Sequence, residues 1–306
     1  MDMSVVLSQM AVLFILIAIG YLAGKVKLLT EQSDKFLTRT VLCITMPAMI
    51  LRSVMRGDDL IITGDDAVMF ILMALLGFLI SFAVAIPAAR ALGGEKRDRG
   101  MFGYLTVFGN VSFMGLPVVY SIFGADATFY AAILNIPFIL IAFSVGIIMV
   151  SGKGGKFDPR VLANPPLIAA LIAILIFVTG FNTPAVAADV VNMLGDTTSP
   201  AAMLIIGSTL SRMPLKDVFS QWKLYPVTLL KLLVIPAVSW LVFRQLVTDQ
   251  LMLGVLVVLS GMPSAFIATM FAMEYDGNER IASSGIFLTT LLSVVTIPLV
   301  LFLFIA

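Results

Sequence analysis

The sequence predicts an all-α polytopic membrane protein whose ten transmembrane helices form two inverted five-helix repeats. Three observations predict it. Of the 306 residues, 60% are hydrophobic and only 12% are charged, about half the roughly 25% of a soluble domain, and the mean hydropathy is +1.08. The apolar residues gather in ten runs, each near the ~20 residues needed to cross a hydrocarbon core of about 30 Å. Short motifs also recur at a separation of about half the chain.

The runs cover 4–23, 36–55, 67–91, 101–123, 126–151, 161–180, 186–210, 222–245, 250–273 and 281–305, leaving almost nothing for a soluble domain. The first follows only Met1, Asp2 and Met3, without the basic leader of a signal peptide, and is read as a retained helix. The second carries Cys43, the single cysteine, so no intrachain disulfide can form. The third starts after Asp65 and Asp66 and ends at Arg90, and the fourth and ninth hold glycine and proline in mid-span. The fifth leads into "SGKGGK" (Ser151 to Lys156), which lacks the spacing of a phosphate-binding loop and reads as a basic connector. Glu274, Tyr275 and Asp276 read as the solvated end of the ninth. The chain has no histidine, which removes His general bases, His metal ligands and Ser-His nucleophiles. No metal, cofactor or nucleic-acid partner is expected.

Short loops rich in lysine and arginine stay cytoplasmic. Lys25, Lys27, Lys35 and Arg39 flank the first connection, Arg90, Lys96, Arg97 and Arg99 the third, and Lys153, Lys156 and Arg160 the fifth. Arg212, Lys216 and Lys223 mark the seventh and Arg280 the ninth. The even connections hold only Arg52, Arg56 and Arg244, and the second is acidic, with Asp58, Asp59, Asp65 and Asp66. With ten spans, both termini fall on the non-cytoplasmic side.

The internal repetition appears as "TMPAMIL" (Thr45 to Leu51) against "TSPAAML" (Thr198 to Leu204), and as "FGYLTVFGNVSF" (Phe102 to Phe113) against "LGVLVVLSGMPS" (Leu253 to Ser264). The offsets are 153 and 151 residues. The two repeats are therefore 1–151 and 152–306, and five spans in each force the second to enter the membrane from the opposite side. Inverted repeats of this kind mark secondary transporters, whose substrate sites lie near the midplane at discontinuous helices.

Span four contains Gly109, Gly115 and Pro117, and span nine Gly254, Gly261 and Pro263. Proline removes a backbone donor and clashes with the preceding turn, so both spans are expected to unwind. Irregular backbone at that depth must line protein or a water-filled cavity. Freed N–H groups at half-helix N-termini make an anion site, with Asn110, Ser112, Ser260 and Ser264 as side-chain partners. Spans two and seven supply the second proline pair, Thr45-Met46-Pro47 and Thr198-Ser199-Pro200. Asp196 is a candidate for coupling or gating, or merely caps a helix. Lys231 is the basic residue well inside a span; its partner would be an organic carboxylate, Asp196 or backbone carbonyls at a helix break. The matching position of the first repeat is Phe78. Asn135, before Pro137, either bonds across helices or lines the cavity.

With "GNVSFMGLP" at the fourth span and "SGMPSAFIATMFA" at the ninth, the whole chain resembles the auxin efflux carrier family, which includes plant PIN exporters and bacterial carriers described as moving malonate or other organic anions. The fold is similar to that of the bile acid transporters. The resemblance implies that helices 4 and 9 cross at their breaks. It also implies a scaffold of spans 1, 2, 6 and 7, often dimeric, and a transport bundle of spans 3–5 and 8–10 that slides against it, an elevator mechanism. Carried over, Gly109, Asn110 and Ser112 form the first crossover and Gly261, Met262, Pro263 and Ser264 the second, with Thr45, Pro47, Thr198 and Pro200 as the facing wall. Gly261 stands where a second asparagine is expected, so the pair is asymmetric.

The function so implied is transport of a small carboxylate, malonate-like before auxin-like, across the inner (plasma) membrane by a homodimer. The sequence leaves a proton, a sodium ion or no coupling ion equally open. The alternatives are a channel or ligand sensor on the same scaffold and, remotely, an intramembrane aspartyl protease. The last finds "MLGD" (Met193 to Asp196) and Tyr275-Asp276, but with Met193 where glycine is needed and the two elements in reversed order.

Overall fold

The computed structural model describes residues 3–55, 64–151, 165–181, 183–212 and 215–304. Asp58, Asp59 and Arg56 of the acidic connection, and Lys153, Lys156 and Arg160 of the basic one, lie outside the described residues. All regular structure among the described residues is helical. In chain order the helices are α1 (Met3–Lys25), α2 (Glu31–Thr40), α3 (Met46–Arg52), α4 (Gly64–Leu92), α5 (Lys96–Val107), α6 (Leu116–Phe123), α7 (Ala125–Ile141), α8 (Ile147–Ser151) and α9 (Pro165–Thr179). They continue as α10 (Ala185–Asp196), α11 (Thr198–Ser211), α12 (Leu215–Ser220), α13 (Leu224–Leu229), α14 (Ile235–Phe243), α15 (Gln250–Ser260), α16 (Ile267–Glu274) and α17 (Glu279–Phe304).

Among the described residues, four continuous helical stretches are long and apolar enough to cross a membrane: Gly64–Leu92, Ala125–Ser151, Leu224–Phe243 and Glu279–Phe304. Of the other predicted runs, the first is one continuous helix, Met3–Lys25, and the rest hold shorter helices or helices whose winding changes near glycine or proline. Departures from regular α winding take two forms, and the first leaves the helix continuous. In one, the turn widens to π geometry, as at Val41–Thr45, Val111–Gly115, Ala142–Gly146 and Leu230–Val234. Three of these turns are followed at once by a proline in the next helix, Pro47, Pro117 and Pro236. A proline ring collides with the carbonyl four residues back, and a turn with one extra residue moves that carbonyl away. Met46 N–H accordingly donates to Val41 O, and Ile235 N–H to Leu230 O, five residues back in each case. In the other form the helix stops, as in spans four and nine.

The chain divides into two compact units, the first comprising Met1–Ile71, Ser112–Ile136 and Pro159–Arg212, the second Leu72–Val111, Pro137–Asp158 and Met213–Ala306. In the first unit α1 lies along α11. Gly20 and Gly24, spaced as in the small-residue motif that lets membrane helices approach, face Leu204 and Ser211, and Gly207 faces the backbone of Ile17 and Tyr21. This spacing is legible in the sequence. A Cβ on Gly207 would meet main chain, so Gly207→Ala is expected to lower stability by about 1–3 kcal/mol in a thermal melt of the purified protein. Gly64→Ala, with no described atom within 4 Å of its Cβ position, should leave the melt unchanged. The end of this pair is pinned by Arg212, which bonds the buried Asp34 and, at 2.9 Å, Ser208 Oγ. Thr30 and Ser33 cap α2 reciprocally, and the Lys35 ammonium beside Glu31 holds that exposed carboxyl below its usual range.

The second unit is built around α17, which contacts α5, α12, α13, α14, α15 and α16. Asn278 caps it by accepting from Ile281 N–H at 3.1 Å while donating to Asp98 Oδ1 at 2.8 Å. Phe108, fully buried, is enclosed by the rings of Phe78, Phe82, Tyr104 and Phe138 at centroid distances of 6.1, 6.0, 4.6 and 5.9 Å. Aromatic packing of this kind holds its backbone in place where the helix ends.

Candidate functional site at the helix breaks

In the second unit α5 ends at Val107, and Phe108 turns extended at φ −91°, ψ 110°. On the other strand of the site α15 ends at Ser260, followed by Gly261 at φ −89°, ψ 4°. The two breaks lie antiparallel and are joined as a bridge at Gly109 and Ser264. Asn110 N–H donates to Pro263 O at 2.6 Å and Ala265 N–H to Phe108 O at 2.9 Å. Each break thus satisfies backbone groups of the other, the condition for non-helical chain at membrane depth. The breaks predicted from glycine and proline are present, and they meet.

Lys231 sits beside them. It projects from the widened turn Leu230–Val234, is 1% exposed, and donates from Nζ to Ser260 O at 3.1 Å and Val107 O at 3.3 Å. These are the last carbonyls of α15 and α5, the negative ends of two helix dipoles. Of the partners the sequence allowed for Lys231, the structure selects carbonyls at a helix break; Asp196 has another partner. Both carbonyls are neutral groups, so the formal charge of the ammonium is not cancelled by them. A Cβ on Gly109 would lie 3.1 Å from Lys231 Nζ, so a larger residue there would crowd the lysine. Gly261 is packed similarly, 3.3 Å from Pro236 Cγ at its Cβ position.

The remaining residues of the second unit's break are partly structural. Ser264 Oγ donates to Leu105 O at 2.7 Å and its N–H to Thr289 Oγ1 at 3.1 Å. Ser260 Oγ returns to Val257 O at 2.7 Å. Thr289 was not anticipated: it lies 25 residues from Ser264 on an apolar helix, with no motif to mark it. In the first unit Ser112 Oγ donates to Asn135 Oδ1 at 2.5 Å, and Asn135 Nδ2 to Ala131 O at 3.1 Å. Asn135 therefore bonds across helices, one of the two roles left open for it.

Also in the first unit, the ends of α10 and α3 pack main chain to main chain, with Gly195 opposite Met49. Pro47 opens α3 and Pro200 lies in the first turn of α11. The buried hydroxyls of Thr45 and Thr198 have no hydrogen-bond partner among the described residues. Asp196 bonds Arg52, whose guanidinium lies over the Tyr120 ring at 4.1 Å. Arg52 was assigned to a loop by sequence, since it ends an apolar run and its partner is 144 residues away. Asp196 and Asp276 each hold an arginine of their own, Arg52 and Arg97, an arrangement unlike two carboxylates sharing a proton.

Helices that stop at mid-length, exchange backbone bonds and enclose a charged side chain belong to the class of multi-pass membrane transporters. Comparison with known proteins gives the same class. The family described as membrane transport protein matches residues 5–301. A protein of Methanothermobacter thermautotrophicus named "uncharacterized transporter" is 29% identical over 93% of this chain and 94% of its own. One of Rhizobium meliloti named "putative malonate transporter" is 24% identical over 95% and 93%, and the Escherichia coli transporter YfdV 23% over 94% of each. The chain belongs to this membrane transport protein family, that of the auxin efflux carriers.

Proposed function

We propose that the protein is a secondary transporter of a small organic anion, a malonate-like dicarboxylate first, working by elevator-type alternating access. The observation that carries this reading is the buried Lys231 ammonium at the meeting of the two broken helices, bonded to neutral carbonyls alone among the hydrogen bonds it makes. A charge so placed favours an anion close by, and a dianion most. Gly109, Asn110, Ser260, Gly261, Pro263 and Ser264 would hold the substrate in the second unit, and Ser112 and Asn135 are the polar candidates of spans four and five in the first. The family resemblance supports a substrate-binding role for Thr45, Pro47, Thr198 and Pro200 of the first unit as well, with Asp196 a gate. The name of the Rhizobium relative supports the choice of malonate. The family resemblance supports an inner-membrane homodimer joined through spans 1, 2, 6 and 7, with spans 3–5 and 8–10 moving and both termini non-cytoplasmic. Uptake under imposed gradients separates coupling to a proton, coupling to a sodium ion and uncoupled transport.

Purified protein in detergent should be stabilised against heat by malonate more than by acetate. Proteoliposomes should show saturable malonate uptake and exchange of labelled for unlabelled substrate, which a channel does not give. Asn110→Ala is expected to reduce that uptake to background with the amount of protein in the membrane unchanged. Undiminished uptake would take Asn110 out of the site.

A further inference from the structure

One basic group of the first unit has chemistry that the crossing of broken helices does not use. Arg52, the last residue of α3, has a side chain only 7% exposed, while that of its partner Asp196 is 65% exposed. Nη1 donates to Asp196 Oδ1. Nη2 is buried and has no hydrogen-bond partner among the described residues. The face of the guanidinium rests on Tyr120, 4.1 Å from the ring centroid, which fixes its plane. A guanidinium offers a rigid fork that matches both oxygens of one carboxylate. Here only one prong is filled.

We infer that Arg52 is a carboxylate-binding subsite, occupied in this structure by the protein's own Asp196 and taken over by a carboxylate of the transported anion. The inference rests on the organic-anion reading above. A carboxylate already bound at Arg52 shows that the place accepts that chemistry, and the empty prong leaves a two-oxygen ligand a better fit than the present occupant. Asp196 ends α10 and lies two residues before α11, so the two helix dipoles oppose each other there and Arg52 is its charged partner. Its side chain is mostly exposed, so it can swing off Arg52 without displacing packed neighbours. Arg52 cannot do the same, because a buried guanidinium left unpaired is strongly unfavourable. The exchange is therefore one carboxylate in as the other leaves, with Arg52 paired throughout.

The test reads binding by the shift in melting temperature of purified protein titrated with malonate and with acetate. Asp196→Asn removes the competitor and should tighten malonate by about tenfold, as expected when a blocked site is freed. Arg52→Gln and Arg52→Lys, the latter keeping the charge without the fork, should each weaken it by about as much. Opposite effects from the two partners of one ion pair are the signature. If both substitutions lower the melting temperature alike and leave the malonate response unaltered, the pair is a structural brace and the inference fails. Should Arg52→Gln yield no folded protein, Asp196→Asn decides alone: unchanged or weaker malonate binding overturns the subsite. A malonate shift found in Asp196→Asn and missing from the unsubstituted protein supports it, whereas none in either overturns it. The carrier reading is judged separately, by malonate uptake in proteoliposomes of the unsubstituted protein.

Discussion

Lys231→Met is expected to lower the stability of the purified protein by about 2 kcal/mol and to abolish uptake. Two buried carbonyls, Val107 O and Ser260 O, lose their donor, at about 1–3 kcal/mol each. Relief from burying the ammonium offsets part of that loss. The carbonyls win because each closes a helix whose dipole is oriented toward the lost charge. Lys231→Gln keeps one donor and should cost about half as much in the same melt. If Lys231 also balances the substrate's charge, the glutamine variant will lose dicarboxylate uptake more than monocarboxylate uptake. Identical melts for methionine and lysine would show that the ammonium does nothing for the crossing, and equal losses for the two substrate classes would remove it from substrate recognition.

Gly109→Ala should cut malonate uptake by at least about tenfold while costing about 1–2 kcal/mol of stability. The added methyl would lie 3.1 Å from Lys231 Nζ, 3.4 Å from Lys231 Cε and 3.3 Å from Met262 O. The lysine can retreat only by lengthening its bonds to Val107 and Ser260, and the Met262 carbonyl is main chain beside Pro263. Because the methyl and the ammonium compete for the same space, the two substitutions are coupled. Combining Gly109→Ala with Lys231→Gln, whose side chain is shorter, should destabilise by less than the sum of the two alone. Strict additivity in the melts would mean that the crowding is relieved elsewhere.

Span positions and the two main breaks were legible because apolar run length, glycine and proline act locally. Run 101–123 and run 250–273 stop being helical where Gly109 and Gly261 fall. The effect of the other prolines was harder to read, since Pro47, Pro117 and Pro236 admit either a stop or a widened turn, and neighbouring packing decides between them. Partnerships across long sequence separations were not legible. The Lys231 environment was one of three candidates, and the choice depended on where two half-helices end. Arg52 looked like a loop charge because a buried guanidinium and an interfacial one have the same letter. Thr289 gave no sign at all, for a threonine bonding its own helix, as it does to Gly285 O at 2.8 Å, looks no different in sequence from one that also accepts from Ser264.

The widened turns at Val41–Thr45, Val111–Gly115, Ala142–Gly146 and Leu230–Val234 have an evolutionary consequence. Each accommodates one residue more than a regular turn, and a residue advances the helical phase by about 100°. A homologue that drops one amino acid there can tighten the coil to ordinary winding and keep every downstream side chain aimed as before. The same deletion elsewhere would rotate the rest of its rod away from its neighbours. Single-position gaps between this chain and its relatives should therefore cluster at these four places.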